Sequence, residues 1–269
     1  MRASEYTAMF NAETEHWWYK NLRDEVAYWV EAYLSARQSE RPLRVLDLGC
    51  GTGGMLQRLQ KQFENVQTVG IDFYALALDF ARNVTKGPLI RADAKRLPFQ
   101  PESFDIIVCL DVLYTREVFP AFDRVLAEAR QLLKPGGMLI MQVPAFKSLY
   151  SQHDVNVHGM HRFTAPEIQD GLQRAGFRRR KVYYRYNLLL GIAWLSRKVF
   201  SANGTASHVA VPTAWLNTGL YKYSKLESVI NKRCRLPFGL SVFATAYRSL
   251  LALFSEELWF IETLIVSAI

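Results

Sequence analysis

Between residues 43 and 145 the apolar positions alternate between two rhythms. Continuous apolar runs begin at Leu43 (LRVLDLGC), Asn65 (NVQTVGID), Ser103 (SFDIIVCLD) and Met138 (MLIMQVPA), and GPLIRAD at Gly87 is a weaker one. Such runs read as strands buried on both faces. Between them, GGMLQRLQKQF, ALALDFARNV and FPAFDRVLAEARQLL repeat apolar residues at helical spacing, and KPGG closes the last with a turn. A helix over APEIQDGLQRAG leads to a sixth strand, RRRKVYYRY, and LSVFATAYR at 240–248 supplies a seventh. Alternation of this kind predicts a doubly wound α/β fold with a mostly parallel seven-stranded sheet and helices on both faces. An N-terminal helical cap over 1–40 precedes the main domain, 41–248. A helical insertion over 188–237 comes before the last strand, because about fifty residues are too many for an ordinary loop. An amphipathic helix over 249–269 repeats Leu250, Phe254, Leu258, Ile261 and Ile265 on one stripe.

Composition narrows the setting. Half of the 269 residues are apolar, enough for one sizeable core with an appendage. Cys50, Cys109 and Cys234 are far apart and odd in number, which points to a reducing compartment. No signal-peptide apolar region opens the chain, and its longest apolar run, LLLGIAWL, is too short for a bilayer span. A cytoplasmic protein is expected, with peripheral contact at the inner membrane face left open. The net charge of +8 is segregated: residues 160–248 carry 15 Lys/Arg against 3 Asp/Glu, a local +12, and the remainder is net −4. Such segregation fits an anionic partner.

The loop VLDLGCGTGG ends a strand and opens a helix. Gly49, Gly51 and Gly53 allow tight turns and bring backbone N–H groups, with Cys50 and Thr52 between them, up to a ligand. Read as Gly49, Gly51 and Gly54, it also fits the dinucleotide pattern. Electrostatics separates the two ligands. Asp47, Asp72, Asp93 and Asp111 follow or end four strands, so all should gather at the carboxyl edge of the sheet. Four carboxylates would repel a pyrophosphate. They suit S-adenosylmethionine, which carries a sulfonium, an ammonium, one carboxylate and no phosphate. Asp72 can accept both ribose hydroxyls, Asp93 with Ala94 can read the adenine edge beside Phe73, and Asp47 and Asp111 lie nearer the methionine end.

These residues resemble the class I S-adenosylmethionine-dependent methyltransferases. The resemblance rests on VLDLGCGTG (45–53), GID (70–72), ADAKRLPF (92–99), FDIIVCLDVL (104–113) and LLKPGGMLIMQVP (132–144). It implies that fold, that cofactor and methyl transfer to an O, N or C nucleophile of a small-molecule, glycan or lipid-linked acceptor. It also implies a last strand running antiparallel. Tyr114 and Thr115 stand where many relatives carry Glu-His, so an acid–base role there does not carry over.

The chain also resembles a bacterial subgroup with HWW near the N-terminus and HD…H-x-R after the fifth strand. His16, Trp17, Trp18 and Arg23 match the first feature. The resemblance makes this segment a lid, with Arg23 on the methionine carboxylate and an aromatic ring such as Tyr19 on the sulfonium. The alternative is that the tryptophans staple a helix to the sheet. His153, Asp154, His158 and His161 match the second feature, with three open readings: a general base, a structural loop closure, or a metal site. No zinc spacing is visible, so no metal is expected.

Two other function classes compete. A nicotinamide oxidoreductase conflicts with Asp47 and lacks a Tyr-x-x-x-Lys; a non-catalytic binding module would show an eroded glycine loop. The absence of an [ND]PP[YF] motif argues against methylation of nucleic-acid bases. The C-terminal stripe offers packing on its own domain or a homodimer contact.

Overall fold

The apolar runs pair as a seven-stranded sheet in the order β3-β2-β1-β4-β5-β7-β6. The structure, a computed structural model, describes residues 3–37, 41–190 and 211–250. Its strands are β1 (Leu43–Leu48), β2 (Val66–Asp72), β3 (Leu89–Arg91), β4 (Phe104–Leu110), β5 (Leu133–Pro144), β6 (Arg178–Arg185) and β7 (Ser241–Tyr247). The helices are α1 (Ala3–Ala12), α2 (Trp17–Ser35), α3 (Gly54–Gln62), α4 (Ala75–Ala81), α5 (Phe122–Leu132), α6 (Gln152–Asn156), α7 (Ala165–Arg174) and α8 (Ala214–Asn231). The first five strands are parallel, and β7 runs antiparallel to both β5 and β6. The helix ends before KPGG as expected, but that segment belongs to β5. There Lys134–Gly137 bulge out, so the register moves from Phe104↔Leu133 to Ile106↔Met138.

Period-two alternation divides the core between the two faces of the sheet. Val45, Ile106, Val108 and Ile140 point to one face, under α2 and α3. Leu46, Ile107, Leu139 and Met141 point to the other, under α5 and α7. Helix α2 contributes Leu22, Val26, Trp29 and Val30 to the first face, and Val26 and Val30 are fully buried. Each such side chain is worth about 1.5–3 kcal/mol. Most of α2 is therefore core, and only its first turns reach the ligand side. Trp29 fixes the middle of the helix by donating its indole N–H to Glu25 and to the Tyr183 hydroxyl, both at 3.2 Å.

The segment between β6 and β7 contains α8, which packs on α2. Asn217 of α8 accepts the Trp17 N–H at 2.9 Å and donates to the Glu15 carbonyl at 2.8 Å. The rest of the expected insertion, at 191–210, and the expected C-terminal helix beyond Leu250 lie outside the described residues. Among the described residues, no helix is long and apolar enough to cross a membrane. Cys50 and Cys109 are buried free thiols, and Cys234 is exposed.

Candidate functional site

The parallel strands β1, β2 and β4 all end at one edge, and a cavity of about 760 Å³ opens there. Its floor is the glycine loop after β1, and its roof comes from α1 and the start of α2. Gly49 and Gly51 hold φ of +81° and +53°, the left-handed region that glycine enters freely. A Cβ at Gly49 would collide with Val112, so the loop can pass the end of β4 only as glycine. The Gly51 N–H donates to one oxygen of Asp72 at 3.0 Å, and the Tyr74 N–H donates to the other at 2.9 Å. These bonds fix the Asp72 carboxylate at the rim and favour its charge; burial outweighs them and leaves its pKa raised.

Asp47 is different. It is 2% exposed, and its carboxyl is pushed up to about 7 by burial, then by the negative charge of Asp72 and of Glu13. Among the described residues no hydrogen-bond donor offsets these effects. A buried carboxylate facing a cavity without a donor fits a cationic ligand. Asp111, one residue past β4, sits at φ +53°, which is uncommon for a residue with a side chain. Two bonds hold it: its N–H donates to the Gln142 carbonyl at 2.9 Å, and Gln142 Nε2 donates to its carboxylate at 3.0 Å. Arg185, 1% exposed, donates to Gln142 Oε1 at 2.8 Å and to the Asn21 side chain. Burial raises the Asp111 carboxyl to about 6, against the opposing pull of Gln142, Arg185 and Arg162.

The remaining expected cofactor residues divide simply. Cys50, Thr52, Phe73, Asp93, Ala94, Tyr19 and Arg23 all line the cavity, whereas Gly53 sits behind it as the cap of α3. Asp93 accepts the Lys95 N–H at 2.9 Å and faces the Lys95 ammonium at 3.3 Å. Arg23 donates to the Glu13 carbonyl, and burial is the main cause of its lowered pKa. Trp17 and Trp18 line the cavity, and both pack on Tyr186, Trp18 stacking at 4.1 Å between centroids. The aromatic pair thus serves as wall and staple together. His16 caps α2 by accepting the Trp18 N–H on Nδ1 at 3.2 Å.

The loop after β5 separates its histidines. His153 lines the cavity. His158 and His161 lie outside its lining: His158 Nδ1 is 2.8 Å from Glu117, and His161 stacks on Phe119 at 4.3 Å with Nε2 3.3 Å from Glu167. The loop is closed by Arg162, whose guanidinium grips Asp154 at 2.8 and 3.1 Å and donates to the Ala145 carbonyl at 3.0 Å. Both partners are buried and line the cavity. Among the described residues there is no group of three His, Cys, Asp or Glu side chains that could hold a metal ion.

Several lining residues carried no sequence signal as site residues, including Tyr6 and Met9 of α1, Glu13 in the turn that follows it and Ser241 of β7. Tyr114 lines the cavity too, and burial drives its hydroxyl pKa up. Arg162 stood within the His-x-Arg pattern, but its partner becomes evident only in the folded loop.

Comparison with known proteins places this geometry. Residues 46–141 match the family model described as a methyltransferase domain. The fatty-acid O-methyltransferase of Mycolicibacterium smegmatis is 30% identical over 118 residues, 42% of this chain and 42% of that protein. The malonyl-[acyl-carrier protein] O-methyltransferase of Geobacter sulfurreducens is 30% identical over 158 residues, 53% of this chain and 58% of that one. The chain thus spans about half the length of these curated relatives. A solved S-adenosylmethionine-dependent methyltransferase from Thermotoga maritima superposes with a TM-score of 0.56 at 18% identity, covering 91% of this chain and 95% of that one. Residues 46–141 are therefore similar to methyltransferase domains, and they sit in the Rossmann-like fold of the class I methyltransferases.

Proposed function

We propose that this protein is an S-adenosylmethionine-dependent methyltransferase acting on a small-molecule or lipid-linked acceptor. The observation that carries the reading is Asp47: a buried carboxylate, without a described donor, at the foot of a glycine loop and facing a cavity. A dinucleotide pyrophosphate would meet that charge with repulsion; an ammonium relieves it. In this reading Asp47 and Asp111 bind the ammonium, Asp72 accepts the ribose hydroxyls on its free lone pairs, and Asp93, Ala94 and Phe73 bound the adenine. Arg23 pairs with the carboxylate, and Tyr19, Trp17 and Trp18 exclude water above it.

S-adenosylmethionine, when bound, supplies a methyl group activated by its sulfonium. The chain's own contribution is to hold the acceptor in line and keep water out. In this reading His153, which lines the cavity, takes a proton from an acceptor hydroxyl or amine, and the Arg162–Asp154 pair holds its loop closed. The relatives named as a fatty-acid O-methyltransferase and a malonyl-[acyl-carrier protein] O-methyltransferase favour an acceptor with an acyl chain. Calorimetry tests the cofactor: S-adenosylhomocysteine should bind and NADH should not. Binding of NADH alone would replace this reading with a nicotinamide-dependent one.

A further inference from the structure

Helix α8 is amphipathic in the reverse sense. In a surface helix of a globular domain the apolar stripe faces inward. Here the buried positions are polar: Ser224 and Asn231 are 1% exposed and Glu227 is 7% exposed. They have work inside. Glu227 accepts the backbone N–H groups of Tyr186 and Asn187, and Asn231 donates to the Tyr184 carbonyl at 3.0 Å. The outward positions are apolar: Trp215 is 77% exposed, Leu226 62% and Val229 58%. At 100° per residue these three share one stripe with Gly219 and Lys222. A Cβ built at Gly219 meets nothing within 4 Å, so the stripe is open there too.

Single exposed apolar residues are ordinary, but three large ones aligned on one face of a helix mark an interaction surface. We propose that the outward face of α8 seats this protein on an anionic lipid surface. Charge selects that occupant. Lys222 lies within the stripe, and Arg233 and Arg235 are exposed at its end. The one acidic residue of the helix, Glu227, is turned inward. A tryptophan at one end, aliphatic residues towards the other and basic residues between and beyond them are the make-up of a helix lying in a membrane interface. A second copy of the chain would bring these cations against one another.

The seat has a consequence for the site. Asn217, on the same helix, binds the start of α2, and Pro212, just ahead of α8, lines the cavity. The lipid surface therefore lies beside the cavity mouth, where an acceptor can enter without crossing water. This rests on the lipid-linked reading above.

The test is co-sedimentation of the full chain with vesicles of phosphatidylcholine alone or mixed with phosphatidylglycerol. The expected result is binding to the mixed vesicles only, reversed by salt. Trp215→Glu with Leu226→Glu, and separately Lys222→Glu with Arg233→Glu and Arg235→Glu, should each weaken binding about tenfold or more. Unchanged thermal stabilisation by S-adenosylhomocysteine would report that both variants are folded with the cofactor cavity intact. Absence of binding at low salt overturns the proposal, as does variant binding equal to the parent, which would put the attachment elsewhere on the chain. A dimer in sedimentation velocity that the Trp215→Glu, Leu226→Glu variant dissolves would overturn it in favour of a second copy. Failure of S-adenosylhomocysteine to bind the parent would overturn the cofactor reading while leaving the vesicle result to stand by itself.

Discussion

Lowering the pH should weaken S-adenosylhomocysteine binding, and Asp47 should be the main cause. In the free protein burial, Asp72 and Glu13 raise its carboxyl to about 7. The ligand's ammonium prefers the ionised form, so binding must strip a proton wherever the pH lies below that value. From about pH 8 to about pH 5.5 the ionised fraction of such a group falls about thirtyfold, or about 2 kcal/mol at 1.36 kcal/mol per tenfold. Asp111, at about 6, adds about a further fourfold by the same relation. Isothermal titration calorimetry in two buffers of different ionisation enthalpy reads both the affinity and the protons released. Proton release should be small above about pH 8, pass about half a proton near pH 7 and keep rising to more than about one proton near pH 5.5, as Asp47 and then Asp111 must be stripped. Asp47→Asn should lose about 1–3 kcal/mol of affinity at about pH 8 and keep only the small slope due to Asp111. The unliganded protein should respond with the opposite sign. A carboxyl raised on folding favours the folded state at low pH, so this contribution fades as pH rises from about 4 to about 7. Asp47→Asn should remove that fade and stabilise the unliganded protein at neutral pH by up to about 4 kcal/mol. Affinity independent of pH, or a full slope surviving in Asp47→Asn, would refute the assignment of a cation to this carboxylate.

Three further outcomes are expected. Asp72→Ala should weaken S-adenosylhomocysteine by about 1.5–3 kcal/mol, the scale of hydrogen bonds to a charged group, measured by the same calorimetry. Once an acceptor is in hand, His153→Ala should lower kcat about a hundredfold or more, whereas His158→Ala and His161→Ala, whose rings lie outside the cavity lining, should stay within about threefold. Equal losses in all three would return the loop to a purely structural role. Arg162→Met should lower the unfolding free energy by about 3–5 kcal/mol in urea titrations, because it leaves Asp154 buried and unpaired.

Much of the fold was legible because its signals are local. Strand and helix periods between 43 and 145 follow from which positions must be apolar, and a glycine loop between a strand and a helix is a short-range event. The acids Asp47, Asp72, Asp93 and Asp111 reach one edge because parallel strands all end there, so chain order alone brought them together. The separation of the histidines was not legible. His153, His158 and His161 lie within nine residues, and only the path of the loop, drawn in by Arg162 and Asp154, turns one into the cavity and two away from it.

The N-terminal tryptophans show the division most plainly. Their pattern marks them as needing cover, but lid and staple are equal in the sequence, since both bury aromatic rings. The choice depends on Tyr186 and Tyr183, which lie more than a hundred and fifty residues further on and reach α2 through β6. Arg185 likewise reads as one more basic residue in a positive segment, yet in the fold it is a buried cation linking Asn21 to the Gln142 that holds Asp111. The polar inner face of α8 answers to backbone N–H groups at the end of β6, partners that its own sequence cannot reveal. Local spacing determined the strands, the loop and the carboxylate rim. Burial, and with it the shifted acids, the aromatic segment that both lines the cavity and packs on the core, and the outward apolar helix, was decided by tertiary contacts, because the energy of a polar or charged group depends on partners that the chain brings from far away.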